Sequence, residues 1–106
     1  MDDSKRVGKL VRDRIPMIIE SAGGHPKTEI LDEDEFLAAL HAKLDEEALE
    51  VHEAASQDLA EELADVLEVL HALAAARGIS WQEVEERNVT KAQERGGFMN
   101  RIWLWS

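Results

Sequence analysis

Residues 46–65 read EEALEVHEAASQDLAEELAD. Two acid-rich segments, Glu46-Glu47-Ala48-Leu49-Glu50 and Glu61-Glu62-Leu63-Ala64-Asp65, flank a short break at Ala55-Ser56-Gln57-Asp58. On a helix, residues three apart lie one turn apart on one face, so Glu47 pairs with Glu50, and Glu62 with Asp65. A tight turn at the break sends the second helix back antiparallel to the first. Glu47 and Asp65 are then equidistant from Ser56, and so are Glu50 and Glu62. Four carboxylates would meet across one helix pair, which like-charge repulsion opposes unless a cation or bound protons lie between them.

Local signals around this stretch predict further helices. Asp13 is the candidate cap of a short helix that tolerates Pro16 in its first turn and stops at Gly23-Gly24. Asp32 and Glu35 have capping-box spacing, with Leu31 and Phe36 as a hydrophobic staple, and open a long helix from about Glu33 to Ala55. Asp58 and Glu61 repeat the spacing for a helix reaching to about Arg77 and closed by Gly78. Ser80 and Glu83 repeat it again, with Ile79 and Val84 as staple, for a helix from about Trp81 to Arg95. The apolar tail from Phe98 reads either as a strand or as an irregular packing arm. The expected fold class is therefore all-α: an antiparallel helical hairpin with flanking short helices, assembling into a bundle across subunits, with minor strands near 28–31 and 98–105. Residues 1–106 are expected to form one domain.

The helical phases locate the acids. Taking Glu47 as the origin, Phe36, Leu37, Leu40, Leu44 and Val51 span about 340° to 80°, so Glu47 falls within the apolar stripe and Glu50 at its edge. With Asp65 as origin, Leu59, Leu63, Val66, Leu67, Val69, Leu70 and Leu73 span about 40° to 200°; Glu62 lies among them and Asp65 at their edge. An unpartnered ionised carboxylate on a core-facing stripe costs several kcal/mol, so these positions need an explanation. Lys43 can reach Glu47 or Glu50 but cannot balance four acids. Hard oxygen ligands so arranged suit Mg2+, with Mn2+ as a substitute. The competing structural reading is a hydrated, partly protonated polar seam.

The net charge of −11 argues against binding a nucleic-acid polymer. Its distribution is uneven: five of the 12 Lys and Arg lie between Lys5 and Arg14 and four between Arg87 and Arg101, whereas 15 of the 23 acids lie between Glu29 and Glu68. The middle suits cations and both ends suit phosphates. Most of the other acids, Glu46, Glu53, Glu61 and Glu68 among them, read as solvated charge, and the histidines as surface or interface residues. Trp81, Trp103 and Trp105 read as core or interface packing. Without cysteine there is no disulfide framework. No apolar run approaches the ~20 residues of a membrane span, and the N-terminus lacks a signal-peptide core, so a soluble cytoplasmic protein is expected.

With these residues in view, the chain resembles the all-α nucleoside triphosphate pyrophosphohydrolases of the MazG type, and more closely their small phosphoribosyl-ATP pyrophosphohydrolase-like branch. The resemblance rests on Glu46-Glu47-x-x-Glu50 followed by Glu62-x-x-Asp65, on Lys9-Leu-Val-Arg-Asp-Arg-Ile-Pro and on Lys91-Ala-x-Glu-Arg-Gly-Gly-Phe98. The connection between the acid motifs is shorter than in many relatives, which fits the compact branch. The resemblance implies metal-ligating and catalytic roles for Glu47, Glu50, Glu62 and Asp65, and phosphate binding by Lys91 and Arg95 with Asn88 beside them. Lys9, Arg12 and Arg14 are candidates to close over the site from the N-terminal segment. The implied activity is Mg2+-dependent cleavage of the α–β phosphoanhydride of a nucleoside triphosphate, in the service of nucleotide house-cleaning, by a homodimer or higher homo-oligomer. The alternatives are hydrolysis of phosphoribosyl-ATP and, in another class, a non-catalytic helical assembly module holding a divalent ion.

Overall fold

The computed structural model describes residues 8–105. They form four helices: α1 (Ile15–Ser21), α2 (Glu33–Glu53), α3 (Leu59–Ala76) and α4 (Trp81–Arg95), with a 3-10 turn at Ser56–Asp58 between α2 and α3. The all-α expectation holds, and α2 and α3 pack as the hairpin. Two compact units divide between Leu73 and Ala74. The first contains α1, α2 and most of α3; the second contains the end of α3, α4 and the tail.

Caps fix the starts of α2 and α4. The Asp32 carboxylate accepts from the Glu35 N–H at 2.8 Å, and the Glu35 carboxylate accepts from the Asp32 N–H at 3.1 Å, which completes the capping box. Each bond satisfies a helix-end donor that would otherwise face water. At α4 the Ser80 hydroxyl accepts from the Glu83 N–H at 3.2 Å, while the Glu83 carboxylate lies 3.5 Å from Arg87. The end of α3 is a Schellman arrangement: Gly78 N–H donates to Ala75, Ile79 N–H donates to Ala74, and Gly78 takes the left-handed conformation at φ 72°.

Three local expectations are corrected. Arg14, not Asp13, occupies the cap position of α1, and no side chain caps it. Asp13 falls instead inside the turn closed by the Ile15 N–H on the Arg12 carbonyl at 3.0 Å. At the hairpin, the chain leaves α2 at Ala54, whose ψ of 139° is extended, and the Asp58 N–H donates to the Ala55 carbonyl. A 3-10 turn thus takes up the positions preceding α3.

The third correction concerns the tail and the segment before α2. Neither 28–31 nor 98–105 forms a strand. A strand requires a continuous ladder of backbone bonds with a neighbour. The tail instead turns on itself, with Arg101 N–H donating to the Phe98 carbonyl and Arg101 at φ 57°, which interrupts an extended backbone.

The core is small. Leu40 of α2 is 2% exposed, and Val69 and Ala74 of α3 are also buried. Phe36, Leu37, Leu44, Val51, Val66 and Leu73 are half-buried. The broad apolar arc of α3 therefore splits: Val66, Val69 and Leu73 turn inward, while Leu59, Leu63, Leu67 and Leu70 remain exposed. Trp103 and Trp105 meet edge-to-face with ring centroids 6.2 Å apart, and both are exposed rather than part of the core.

Candidate metal centre

The hairpin brings carboxylates together as its register requires. One carboxylate oxygen from each of Glu47, Glu62 and Asp65 lies within 4.8 Å of the others. Glu47 is 8% exposed and is the buried charged residue among those described. Glu62 and Asp65 are half-buried. Glu50 is exposed and stands outside this trio, although its charge is the strongest of the charge influences on Glu62. Its position at the edge of the α2 apolar stripe accounts for both observations.

Two cations reach the cluster, one on α2 and one from the segment before α1. Lys43 Nζ lies 3.2 Å from Glu47 Oε1 and 3.4 Å from Glu46 Oε2. These are the i,i+4 and i,i+3 neighbours on α2. The sequence pointed to Glu47 or Glu50 as partners of Lys43; the second partner is Glu46, because Lys43 lies N-terminal to both acids on the same turn. Burial pulls the Lys43 ammonium downward, but the Glu47 hydrogen bond and the Glu46 charge outweigh it and hold its pKa above the ordinary lysine value. Arg12 Nη2 donates to Asp65 Oδ1 at 2.9 Å across 53 residues of sequence.

Glu62 shows the consequence of crowding. Desolvation raises its pKa above the ordinary glutamate value, and the charges of Glu50, Asp65, Glu47 and Asp58 push it further in the same direction. Asp58 was not among the sequence-derived candidates. Its i,i+4 spacing to Glu62 was the available signal, hidden by its reading as a cap.

The remaining candidates divide by location. Arg12 is brought to the cluster, whereas Lys9 and Arg14 are exposed and make no ion pair among the described residues. Asn88 and Lys91 line a shallow open groove on α4 with Ile79, Glu83, Val84 and Arg87. Arg95 lines a different hollow, formed with Gly96–Ile102. The single turn between Lys91 and Arg95 thus does not put them in one depression. Trp81 donates its indole N–H to Glu85 at 3.1 Å.

The donor set fits a hard divalent cation. It consists of carboxylate oxygens held close together, with more negative charge than the neighbouring cations offset. No helix among the described residues is long and apolar enough to cross a membrane.

The model of the family described as phosphoribosyl-ATP pyrophosphohydrolase matches residues 18–93. A protein of Mycolicibacterium smegmatis described as uncharacterized is 48% identical over 54 residues, which cover 51% of this chain and 55% of that protein. The match thus spans about half the length of that relative. No solved structure matches.

Proposed function

This chain belongs to the phosphoribosyl-ATP pyrophosphohydrolase family, and from that premise we propose that it is a Mg2+-dependent nucleoside triphosphate pyrophosphohydrolase that removes non-canonical nucleotides. The observation that carries the reading is the convergence of Glu47, Glu62 and Asp65 within 4.8 Å. Repelling carboxylates at that distance make chemical sense around a cation.

Glu47, Glu62 and Asp65 would hold Mg2+, with Mn2+ as a substitute, and Glu50 would complete the anionic surround. When bound, the ion neutralises phosphate charge and acidifies water. A carboxylate of the cluster accepts the proton of the attacking water as its oxygen bonds to phosphorus. The phosphorus–oxygen bond of the α–β bridge breaks, and pyrophosphate leaves with the electron pair beside nucleoside monophosphate. Arg12, with several guanidinium N–H groups beyond the one on Asp65, faces the negative charge that develops on the phosphates. Lys9 and Arg14, exposed on the segment before α1, supply further phosphate contacts in this reading.

A second substrate, phosphoribosyl-ATP, is favoured by the description of the matching family. It offers the same type of anhydride, so the cluster serves either compound. The exposed stripe of Leu59, Leu63, Leu67 and Leu70, with Leu49 on α2, supports assembly as a homodimer or higher homo-oligomer. The test is incubation with Mg2+ and a panel of common, deoxy and damaged triphosphates beside phosphoribosyl-ATP, with identification of the products. Pyrophosphate from at least one compound supports the enzyme. Its absence from all of them refutes it.

A further inference from the structure

We propose that the segment after α4, residues 98–105, is an apolar arm that one copy of this chain lays along the α3 leucine stripe of a second copy, in reciprocal exchange. The inference rests on the assembly reading above and names the two surfaces that meet.

Each chain exposes two apolar surfaces. The arm is the larger: Phe98, Met99, Ile102, Trp103, Leu104 and Trp105 are each 76–96% exposed. Single apolar side chains on a surface are ordinary, but six within eight residues mark a surface that another molecule covers. The second surface is Leu59, Leu63, Leu67 and Leu70, each 37–51% exposed. Their spacings of four, four and three residues draw one line along one face of α3.

The dimensions of the two surfaces agree. From Leu63 to Leu70 the stripe runs about 10 Å along the helix axis, and residues 102–105 reach about 10 Å when extended. The arm leaves α4 at Gly96-Gly97, where Gly96 is at φ 79° and a Cβ on either glycine would meet nothing within 4 Å. Two glycines in open space form a junction that can direct the arm toward a neighbour. Trp103 and Trp105 meet edge-to-face at 6.2 Å, so they dock as one knob, which lowers the ordering cost of binding.

The area suffices for a specific contact. Phe98, Trp103 and Trp105 carry roughly 150–250 Å2 each. Covering half of that on two exchanged arms, with the helix surface beneath counted as well, removes roughly 900–1,500 Å2, against the ~1,000 Å2 that a specific interface requires. Pairing of the two α3 stripes with each other would leave both arms in water. Reciprocal exchange covers arm and stripe together and closes the assembly as a two-fold dimer.

The chain contains no cysteine, so single introduced cysteines report this contact without background. Leu63→Cys and Leu67→Cys chains are each mixed with Ile102→Cys and with Leu104→Cys chains, oxidised mildly, and the disulfides identified by mass spectrometry. At least one mixed disulfide between stripe and arm is expected. Sedimentation of the full chain should show a dimer whose dissociation constant rises at least ~30-fold in Trp103→Ser, as truncation of a buried aromatic anchor entails. Circular dichroism checks the helicity of every variant; Trp103 is exposed within its own chain, so its loss should leave the helices intact. No mixed disulfide, stripe-to-stripe disulfides alone, or a dimer unaffected by Trp103→Ser overturns this inference while the assembly reading stands. A wild-type chain that stays monomeric overturns both.

Discussion

Glu47→Gln separates a structural carboxylate from a ligand. Glu47 gives up an ion pair with Lys43 at 3.2 Å, a gross attraction of about 5 kcal/mol at an effective dielectric near 20. The same change relieves repulsion from Glu62 and Asp65, whose oxygens lie within 4.8 Å, at about 3.5 kcal/mol gross for each ionised neighbour. Lys43 is not stranded, because Glu46 remains 3.4 Å away. Solvent screening reduces all these quantities, and the attraction and repulsion nearly cancel. Without divalent cation the variant should therefore melt within about 5 °C of wild type, a change of about 1 kcal/mol for a chain of this size.

Mg2+ should distinguish them sharply. A ligand present at about 10 times its dissociation constant stabilises the native state by about 1.4 kcal/mol, or about 6–10 °C here. The assay is thermal unfolding followed by circular dichroism, with EDTA or with excess Mg2+. Wild type should show the Mg2+ shift and Glu47→Gln should not. A fall of more than 15 °C in EDTA, or a Mg2+ shift retained by the variant, would refute the reasoning.

Two further perturbations probe the hairpin and its charge. Leu40→Ala empties the most buried apolar position and should cost about 2–5 kcal/mol in urea unfolding, a large share of the ~5–15 kcal/mol of a typical domain; a loss below ~1 kcal/mol would mean that the α2–α3 core lies elsewhere. Glu62 has a raised pKa in the fold, so the native state holds its proton more tightly than the unfolded chain, whose value is near 4.5. Between 4.5 and the raised native value, stability falls as pH rises, and the full penalty is present above that value. Glu62→Gln should accordingly stabilise the protein in EDTA at about pH 8 and change little at about pH 4, as read from denaturant midpoints; an equal effect at both pH values would contradict the assignment.

Much of this arrangement was legible because it is local. The capping box at Asp32 and the cap at Ser80 are written in three-residue spacings, and the glycines at 78 and 96 mark their helix ends through positive φ. The position of Glu47 followed from helical phase, and equal spacing about Ser56 anticipated the meeting of the acids. What escaped the sequence depended on choices between competing local solutions. The Asp58–Glu61 spacing suits a cap, yet the chain uses a 3-10 turn there. The apolar, aromatic tail suits either a strand or an irregular arm, and the turn at Phe98–Arg101 decides against the strand.

Long-range facts were legible only as classes. A cationic N-terminal segment suggested phosphate contacts, but its sequence does not say that Arg12, rather than Lys9 or Arg14, reaches Asp65. The apolar arc of α3 likewise predicted burial without distinguishing Val69, which is buried, from Leu63, which is exposed. One chain of this size lacks enough opposing surface to cover both sides of such an arc.

The central claim is that the hairpin carboxylates support cleavage at the α–β anhydride. It is tested most directly by 31P nuclear magnetic resonance of the wild-type and Asp65→Asn proteins with Mg2+ and the best substrate of the nucleotide panel. The prediction is equal amounts of nucleoside monophosphate and pyrophosphate from wild type, with turnover reduced at least ~100-fold in Asp65→Asn, as loss of an electrostatic group at a reacting centre entails. Nucleoside diphosphate with orthophosphate as products, or unchanged turnover in Asp65→Asn, would contradict it.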